Sequence, residues 1–92
     1  MTRELSQLSN MGRRAVESYD WATVGRCAQA ILLRDRNSAE GYFLLGQAER
    51  ANKQALKSSQ AFEKALELDP DRYDAAIELA RQYSKARRNG DA

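Results

Sequence analysis

Histidine is absent from this chain of 92 residues, and proline and cysteine each occur only once. Without histidine the chain lacks the commonest general base and the commonest metal ligand, which removes many classes of enzyme. The lone cysteine, Cys27, has no partner for an internal disulfide, so packing must stabilise the fold without a covalent cross-link. This cysteine usage fits a reducing compartment, and we expect a cytoplasmic location.

Long apolar runs and a strong excess of charge are also missing. No segment approaches the roughly 18 consecutive apolar residues that a membrane span requires. The opening "MTRELSQLSN" lacks the apolar core of a secretory signal. The 15 basic and 13 acidic residues leave a net charge of +2, too small a surplus to indicate a nucleic-acid or membrane surface. We therefore predict one small domain without membrane insertion and without nucleic acid as a partner.

Residues that favour strands are scarce, whereas Ala, Leu, Arg, Glu, Gln and Lys dominate the composition. Apolar residues recur at helical spacing in five segments. Short polar breaks separate these segments at Tyr19-Asp20, 36–38, Asn52-Lys53 and 69–71. The pattern predicts an all-α fold of about five amphipathic helices, in which the short loops make neighbouring helices antiparallel.

The chain resembles itself at one fixed shift, called the repeat offset here, which carries Gly12 onto Gly46. At this offset Met11-Gly12 aligns with Leu45-Gly46 and with Leu79-Ala80, Leu8 with Tyr42, Ile31-Leu32 with Ala65-Leu66, and Asp35 with Asp69. The periodicity divides the single domain 1–92 into a first repeat over 5–38, a second over 39–72, a half repeat or capping helix over 73–88, and a tail over 89–92.

The second repeat carries large and small residues in a fixed order: Tyr42, Leu45, Gly46, Ser58, Phe62, Ala65 and Pro70. With about 34 residues per helix-turn-helix unit, this order resembles the tetratricopeptide repeat family. The resemblance implies a right-handed superhelix of antiparallel helix hairpins, that is, a solenoid. Small residues such as Gly46 let two helices approach, while Phe62 fills the space toward the next hairpin. Pro70 ends the repeat, and we expect Asp69 to cap the fifth helix.

The first repeat departs from this order. It has Val24 and Ile31 at positions where small residues are usual, Ala28 where the aromatic residue is usual, and Arg36 in place of the closing proline. Bulk is moved rather than added, which is the kind of exchange that cores tolerate.

The residues whose side chains could act in catalysis are better explained by packing or by exposure to solvent. Cys27 lies between apolar helix positions and is expected to be a small buried residue. Glu63 and Glu67, beside Lys64, are expected to form a hydrated charged face. Ser58 and Ser59 lack a neighbouring base, and no glycine-rich phosphate loop occurs. We predict no catalytic, metal or cofactor site and no enzymatic activity in this segment.

The resemblance implies that the first helix of each repeat lines a concave groove, which binds a partner protein or peptide. The residues carried over to that groove are Ser9, Arg13, Val16 and, near the rim, Glu17; then Glu40, Phe43, Gln47 and Arg50; then Asp74, Ile77, Arg81 and Lys85. The middle row of this groove, Ser9, Phe43 and Ile77, is partly apolar. The adjacent row, Arg13, Gln47 and Arg81, can bind a carboxylate. A short peptide with apolar and acidic residues would therefore suit the groove. In the alternative interpretation Phe43 and Ile77 simply pack on each other.

The chain's last turns leave further alternatives. The fifth helix has the apolar pattern of an inner helix, and "RRNGDA" suggests a turn toward a sixth, so we expect either a fragment of a longer protein or a homodimer that covers this helix. The runs "AILLRDRNSAEGYFLLGQAE" and "DPDRYDAAIELARQYS" are similar to repeat regions that precede the catalytic domain in some bacterial sulfotransferases, which implies an interaction or oligomerisation segment. RNA binding, as in pentatricopeptide repeats, is disfavoured because interleaved aromatic residues are missing.

Overall fold

The computed structural model describes residues 3–90, with side chains through Lys85. Within that range the chain forms five helices and no strand: α1 (Arg3–Glu17), α2 (Trp21–Arg34), α3 (Ala39–Ala51), α4 (Ala55–Leu68) and α5 (Tyr73–Gly90). The prediction of an all-α chain with about five helices is therefore confirmed. The helix α5 continues through residues 89 and 90, which were predicted to belong to the tail, and residues 91 and 92 lie outside the described range.

Side chains at two of the predicted breaks cap the helices that follow them. Asp20 Oδ1 accepts a hydrogen bond from Thr23 N at 3.3 Å before α2, and Ser38 Oγ accepts one from Gly41 N at 3.0 Å before α3. Each bond satisfies one of the backbone N–H groups that the first turn of a helix leaves unpaired. Gln54 precedes α4 without a side-chain hydrogen bond of this kind.

The helices α1 and α3 end in the same backbone conformation. Tyr19 and Lys53, which correspond at the repeat offset, adopt left-handed backbone with φ of 59° and 61°. In both turns the N–H of this residue donates to the carbonyl three residues earlier, and the next N–H donates to the carbonyl five residues earlier. This pair of bonds defines a Schellman motif, and it offsets the roughly 1–2 kcal/mol that left-handed backbone costs a residue with a side chain.

The turns after α2 and α4 also repeat at the same offset. Asp35 N donates to Ile31 O at 2.8 Å, and Asp69 N donates to Ala65 O at 2.9 Å. In each turn the aspartate Oδ1 accepts from the backbone N–H two residues later, at 3.0 Å and 3.1 Å. The expectation that Asp69 caps α5 is wrong, because Asp69 is the C-terminal cap residue of α4 and its carboxylate is engaged by Asp71 N.

The helices pack on one another in chain order, and α1 additionally contacts α3. One apolar cluster joins α1, α2 and α3 around Val24, Ile31 and Leu44, and a second joins α4 and α5 around Phe62 and Leu79. The described chain measures 48 × 26 × 19 Å. Because a helix of 14 residues is only about 21 Å long, the long dimension corresponds to helices placed side by side.

Glycine positions set how closely the helices approach. A Cβ atom at Gly46 would lie 2.6 Å from the ring of Phe62, which is fully buried, so this glycine lets α4 approach α3. Phe62 also clusters with Ala75 and Leu79 of α5, as expected for a residue that fills the space toward the next hairpin. At the equivalent Gly12, the neighbouring side chain is Leu44, also at 2.6 Å. Since Ala28 is too small to fill this space from α2, the bulk comes from α3 instead.

Candidate binding surface

The residues predicted for the groove lie on α1, α3 and α5, and the structure places them at different depths. Ser9, Glu40 and Gln47 are buried and Phe43 is half-buried, whereas Arg13, Arg50, Asp74, Ile77, Arg81 and Lys85 are exposed. Val16 is half-buried in the core around α1, and Glu17 is exposed. The name α1–α3–α5 face is used here for Ser9, Arg13, Glu40, Phe43, Gln47, Arg50, Asp74, Ile77, Arg81 and Lys85, together with Arg72 and Glu78.

Glu40 forms the centre of one ion-pair network on this face. Its side chain is only 8% exposed, and Oε1 accepts a hydrogen bond from Arg13 Nε at 2.7 Å. Its other oxygen, Oε2, is fully buried and lies 2.7 Å from Arg72 Nη1, an ion pair whose N–H direction falls outside hydrogen-bond geometry. A carboxylate buried to this extent requires such partners, because an unpaired buried charge is costly. Glu40 thus joins α1 to the turn before α5.

Arg72 holds three parts of the face together. Its guanidinium lies 4.9 Å from the centroid of the Phe43 ring, and it donates to Asp74 through Nε at 3.2 Å and Nη2 at 2.9 Å. Burial acts to lower the pKa of Arg72, but its interactions with the carboxylates of Asp74 and Glu40 outweigh burial and raise this pKa. Partial burial acts to raise the pKa of Asp74, but the hydrogen bonds from Arg72 and from Ala75 N produce a net lowering. Both groups are therefore charged at neutral pH.

A second polar network joins α3 to α5. Arg50 pairs with Glu78 through Nη1 and donates to Gln47 Oε1 through Nη2 at 2.7 Å. Arg81 contacts the other oxygen of Glu78 at 3.4 Å while its own side chain stays 72% exposed. Arg81 therefore keeps most of its donors for water or for a partner.

The two apolar residues of the face, Phe43 and Ile77, differ in exposure. Phe43 packs against Phe62, with ring centroids 5.7 Å apart and an interplanar angle of 49°, and the guanidinium of Arg72 also lies over its ring. Ile77 remains 52% exposed. Of the two, Ile77 is the residue accessible to a partner.

Arg72 and Glu78 belong to the face but were not among the predicted residues. Arg72 lies in the turn "DPDRYD" and is its only basic residue among three aspartates. This charge pattern was the sequence signal that could have indicated an ion pair at Arg72. Glu78 lies three residues before Arg81 on α5, a spacing at which opposite charges meet on a helix. Neither signal identifies the long-range partner, since Glu40 and Arg50 come from a different helix hairpin.

A cleft of about 520 Å³ opens at one end of the face. It is bounded by α1, by the turn after α2 and by the turn after α4, and its walls include Ser9, Asn10, Arg13, Glu40 and Arg72. Arg13 and Arg72 stand beside Glu40, Asp35 and Asp69, so the cleft contains charges of both signs. The buried hydroxyl of Ser9 lies in the wall of this cleft and not on an open groove.

Cys27 and Ser58, whose side chains could act as nucleophiles, are both buried. Cys27 is buried, and burial raises the pKa of its thiol. Ser58 Oγ donates to Gly46 O at 2.7 Å and accepts from Gln82 Nε2 at 2.8 Å, so its hydroxyl joins α3, α4 and α5. Among residues 3–85, no group of three or more acidic, cysteine or histidine side chains is arranged to hold a metal ion.

Glu63 and Glu67 are exposed, as expected for a hydrated face. Lys64 lies 3.4 Å from Glu67, and Glu63 accepts a hydrogen bond from the hydroxyl of Tyr83. That bond is the main reason why the pKa of Tyr83 is raised, with a smaller contribution from burial.

Within the described residues, no helix has the combined length and apolar character needed to cross a membrane. No protein-family model matches the chain, and no curated protein matches it.

Proposed function

We propose that this chain is a helical-repeat module that binds a segment of another protein. In this proposal α1–α2 and α3–α4 are two equivalent hairpins, and α5 begins a third, in a right-handed superhelix similar to tetratricopeptide repeats. The support is the repeat offset, at which the left-handed turns, the aspartate turns and the bounds of α2 and α4 all recur. Packing in chain order and the elongated shape agree with such a stack.

The binding site in this proposal is the α1–α3–α5 face. The observation that carries it is the exposure of Ile77 beside Arg81 on a face where most other charged groups are already paired. An apolar side chain flanked by accessible cations is an arrangement that captures a partner residue by burial and orients it by charge.

The charges of the face define the chemistry of the partner. Arg13, Arg50, Arg72, Arg81 and Lys85 oppose three anionic residues, Glu40, Asp74 and Glu78. Arg13 engages Glu40 through Nε, which leaves its terminal nitrogens available to a carboxylate. We therefore propose an extended or helical partner segment that carries an apolar side chain next to acidic ones. RNA fits less well, because the aromatic ring of Phe43 is covered by Arg72 and Phe62 and is not open for base stacking.

The test selects ligands from a random peptide library and measures their affinity by fluorescence anisotropy. We expect the selected peptides to combine acidic and apolar residues. We expect Ile77→Glu or Arg81→Glu to weaken the affinity for these peptides by about tenfold or more. Leu33→Glu on α2 is the matched control, because Leu33 is 84% exposed and lies outside the face. A basic consensus, or equal binding by all variants, would contradict the proposal.

A further inference from the structure

One side of α5, distinct from the α1–α3–α5 face, carries Tyr73, Ala76, Ala80 and Tyr83, which form the tyrosine–alanine stripe. Steps of three, four and three residues place these side chains along one line of a helix. Tyr73 is 72% exposed, Tyr83 is 52% exposed, Ala80 is exposed and Ala76 is half-buried. The helix packs toward Phe62 and Ala65 of α4 through Ala75 and Leu79, and the stripe lies beside that contact. Tyr83 is the stripe residue that reaches α4, where its hydroxyl donates to Glu63.

The equivalent stripe on α3 shows what such a surface accommodates. At the repeat offset, Ala76 and Ala80 correspond to Tyr42 and Gly46, and α4 lies on these two residues, with the ring of Phe62 against Gly46. On α5 the small residue Ala80 stands in place of Gly46. Within the described residues no helix covers it. By this internal comparison, the stripe has the shape of a helix-docking surface.

The spacing of the stripe indicates which helix docks there. The steps between its four residues, of three, four and three residues, are the same in both directions along the helix. The midpoint of the stripe along the chain is Glu78. If two copies of α5 pack antiparallel about that midpoint, Tyr73 of each faces Tyr83 of the other, and Ala76 faces Ala80. A surface that is complementary to itself under a two-fold rotation is what a symmetric dimer requires. The alanines in the middle allow close approach of the helices, and the tyrosines pack at the two ends.

The helix dipoles favour the same orientation. Antiparallel packing of the two copies of α5 opposes their dipoles, whereas parallel packing would align them. We propose that the chain forms a two-fold symmetric homodimer through the tyrosine–alanine stripe, with its α5 helices antiparallel.

The size of this contact sets its strength. A contact between two helices over three turns buries less than the roughly 1,200 Å² that marks the low end of stable interfaces. The dimer therefore dissociates at micromolar concentrations, and mass must be measured over a concentration series.

The first experiment is sedimentation equilibrium. The wild-type mass is expected to rise from 10.4 kDa toward twice this value as concentration increases. Ala80→Glu is expected to stay at the monomer mass, because a charge at the centre of the stripe cannot be buried without a partner. Leu56→Glu on α4 serves as the control, since Leu56 is 72% exposed away from the stripe, and should dimerise as the wild type does. A wild type that stays monomeric, or an Ala80→Glu variant that still dimerises, overturns the proposal.

The second experiment tests the orientation and does not depend on how Ala80→Glu folds. In a Cys27→Ala background, Ala76→Cys and Ala80→Cys proteins are mixed in equal amounts in a glutathione redox buffer. Antiparallel packing predicts that the mixed 76–80 disulfide exceeds the half share expected from random pairing. A predominance of 76–76 and 80–80 disulfides overturns the antiparallel arrangement. Peptide binding by the α1–α3–α5 face is measured separately with Ile77→Glu, so failure of one proposal does not decide the other.

Discussion

At the scale of single residues, Gly46 illustrates how one position controls the approach of two helices. It lies on α3 against the ring of Phe62, and Ser58 donates a hydrogen bond to its carbonyl. The sequence pattern identified Gly46 as a small residue and Phe62 as a large residue of the packing, but only the structure placed them against each other. The packing of Leu44 beside Gly12 was not predictable in the same way, since Leu44 reaches α1 from the next hairpin.

The first stability prediction concerns alanine at two glycines. Gly46→Ala would place a methyl group 2.6–2.8 Å from three ring atoms of Phe62. We expect overpacking of about 1–3 kcal/mol to exceed the gain of about 1 kcal/mol that alanine brings to a helix, so the free energy of unfolding falls. Urea denaturation followed by circular dichroism measures this change.

Gly25→Ala is the control for this prediction. The nearest atom to a Cβ at Gly25 is the Cβ of Ala48 at 3.6 Å, an ordinary contact. We therefore expect this variant to gain about 0.5–1 kcal/mol in free energy of unfolding from helix propensity alone. If both variants are stabilised to the same degree, the contact between Gly46 and Phe62 does not constrain the packing.

At the scale of helices and turns, local sequence determines most of what is observed. The breaks at Tyr19-Asp20 and Asn52-Lys53 became two Schellman turns with matching hydrogen bonds. These signals are readable because caps and turns depend on residues within one or two turns of each other. The assignment of Asp69 to α5 failed for a related reason: an aspartate can bond to either side of a turn, and here its carboxylate accepts from Asp71 N.

The second stability prediction exchanges two cap residues that correspond at the repeat offset. Asp20 and Gln54 have almost the same backbone angles, with φ of −89° and −97° and ψ of 76° and 71°, but only Asp20 caps its helix with its side chain. We expect Gln54→Asp to raise the free energy of unfolding by about 1 kcal/mol and Asp20→Gln to lower it by a similar amount. Thermal unfolding of both variants at pH 7 checks the pair.

Gln54→Ala is the matched control and should be close to neutral, because no side-chain cap bond is lost. A loss of stability in Gln54→Asp would show that the first turn of α4 is constrained by packing on α3 and not by its free N–H groups.

At the scale of the whole molecule, stability is distributed along a row of helices. The helices α2 and α3 have neighbours on both sides, whereas α5 packs chiefly on α4. In such a stack the stability of each helix depends on its own propensity and on its neighbours. The polar links from Arg50 and Arg72 to α5 lie partly in solvent and add little to that packing.

We expect amide hydrogen exchange to reflect this arrangement. At low micromolar concentration, amides of α5 should exchange at least about tenfold faster than those of α2 and α3, because α5 can open without disrupting the larger core. Exchange measured by mass spectrometry resolves the helices. Equal protection of all helices would show that the described chain opens only as one unit. Protection of α5 that rises with concentration would instead report the proposed dimer.

The sequence by itself determined the five helices, their breaks and the repeat offset, because helix periodicity, caps and turns are local properties of the chain. It also placed Arg13, Ile77 and Arg81 at exposed positions. Only the tertiary structure decided that Glu40 and Gln47 are buried and that Arg72 covers Phe43. It also decided that Glu78 forms ion pairs with both Arg50 and Arg81. Apart from the pair of Glu78 with Arg81, which lies within α5, these contacts join residues that are far apart in the chain and lie on different helices or turns. Their geometry depends on how the hairpins stack rather than on the sequence near each residue.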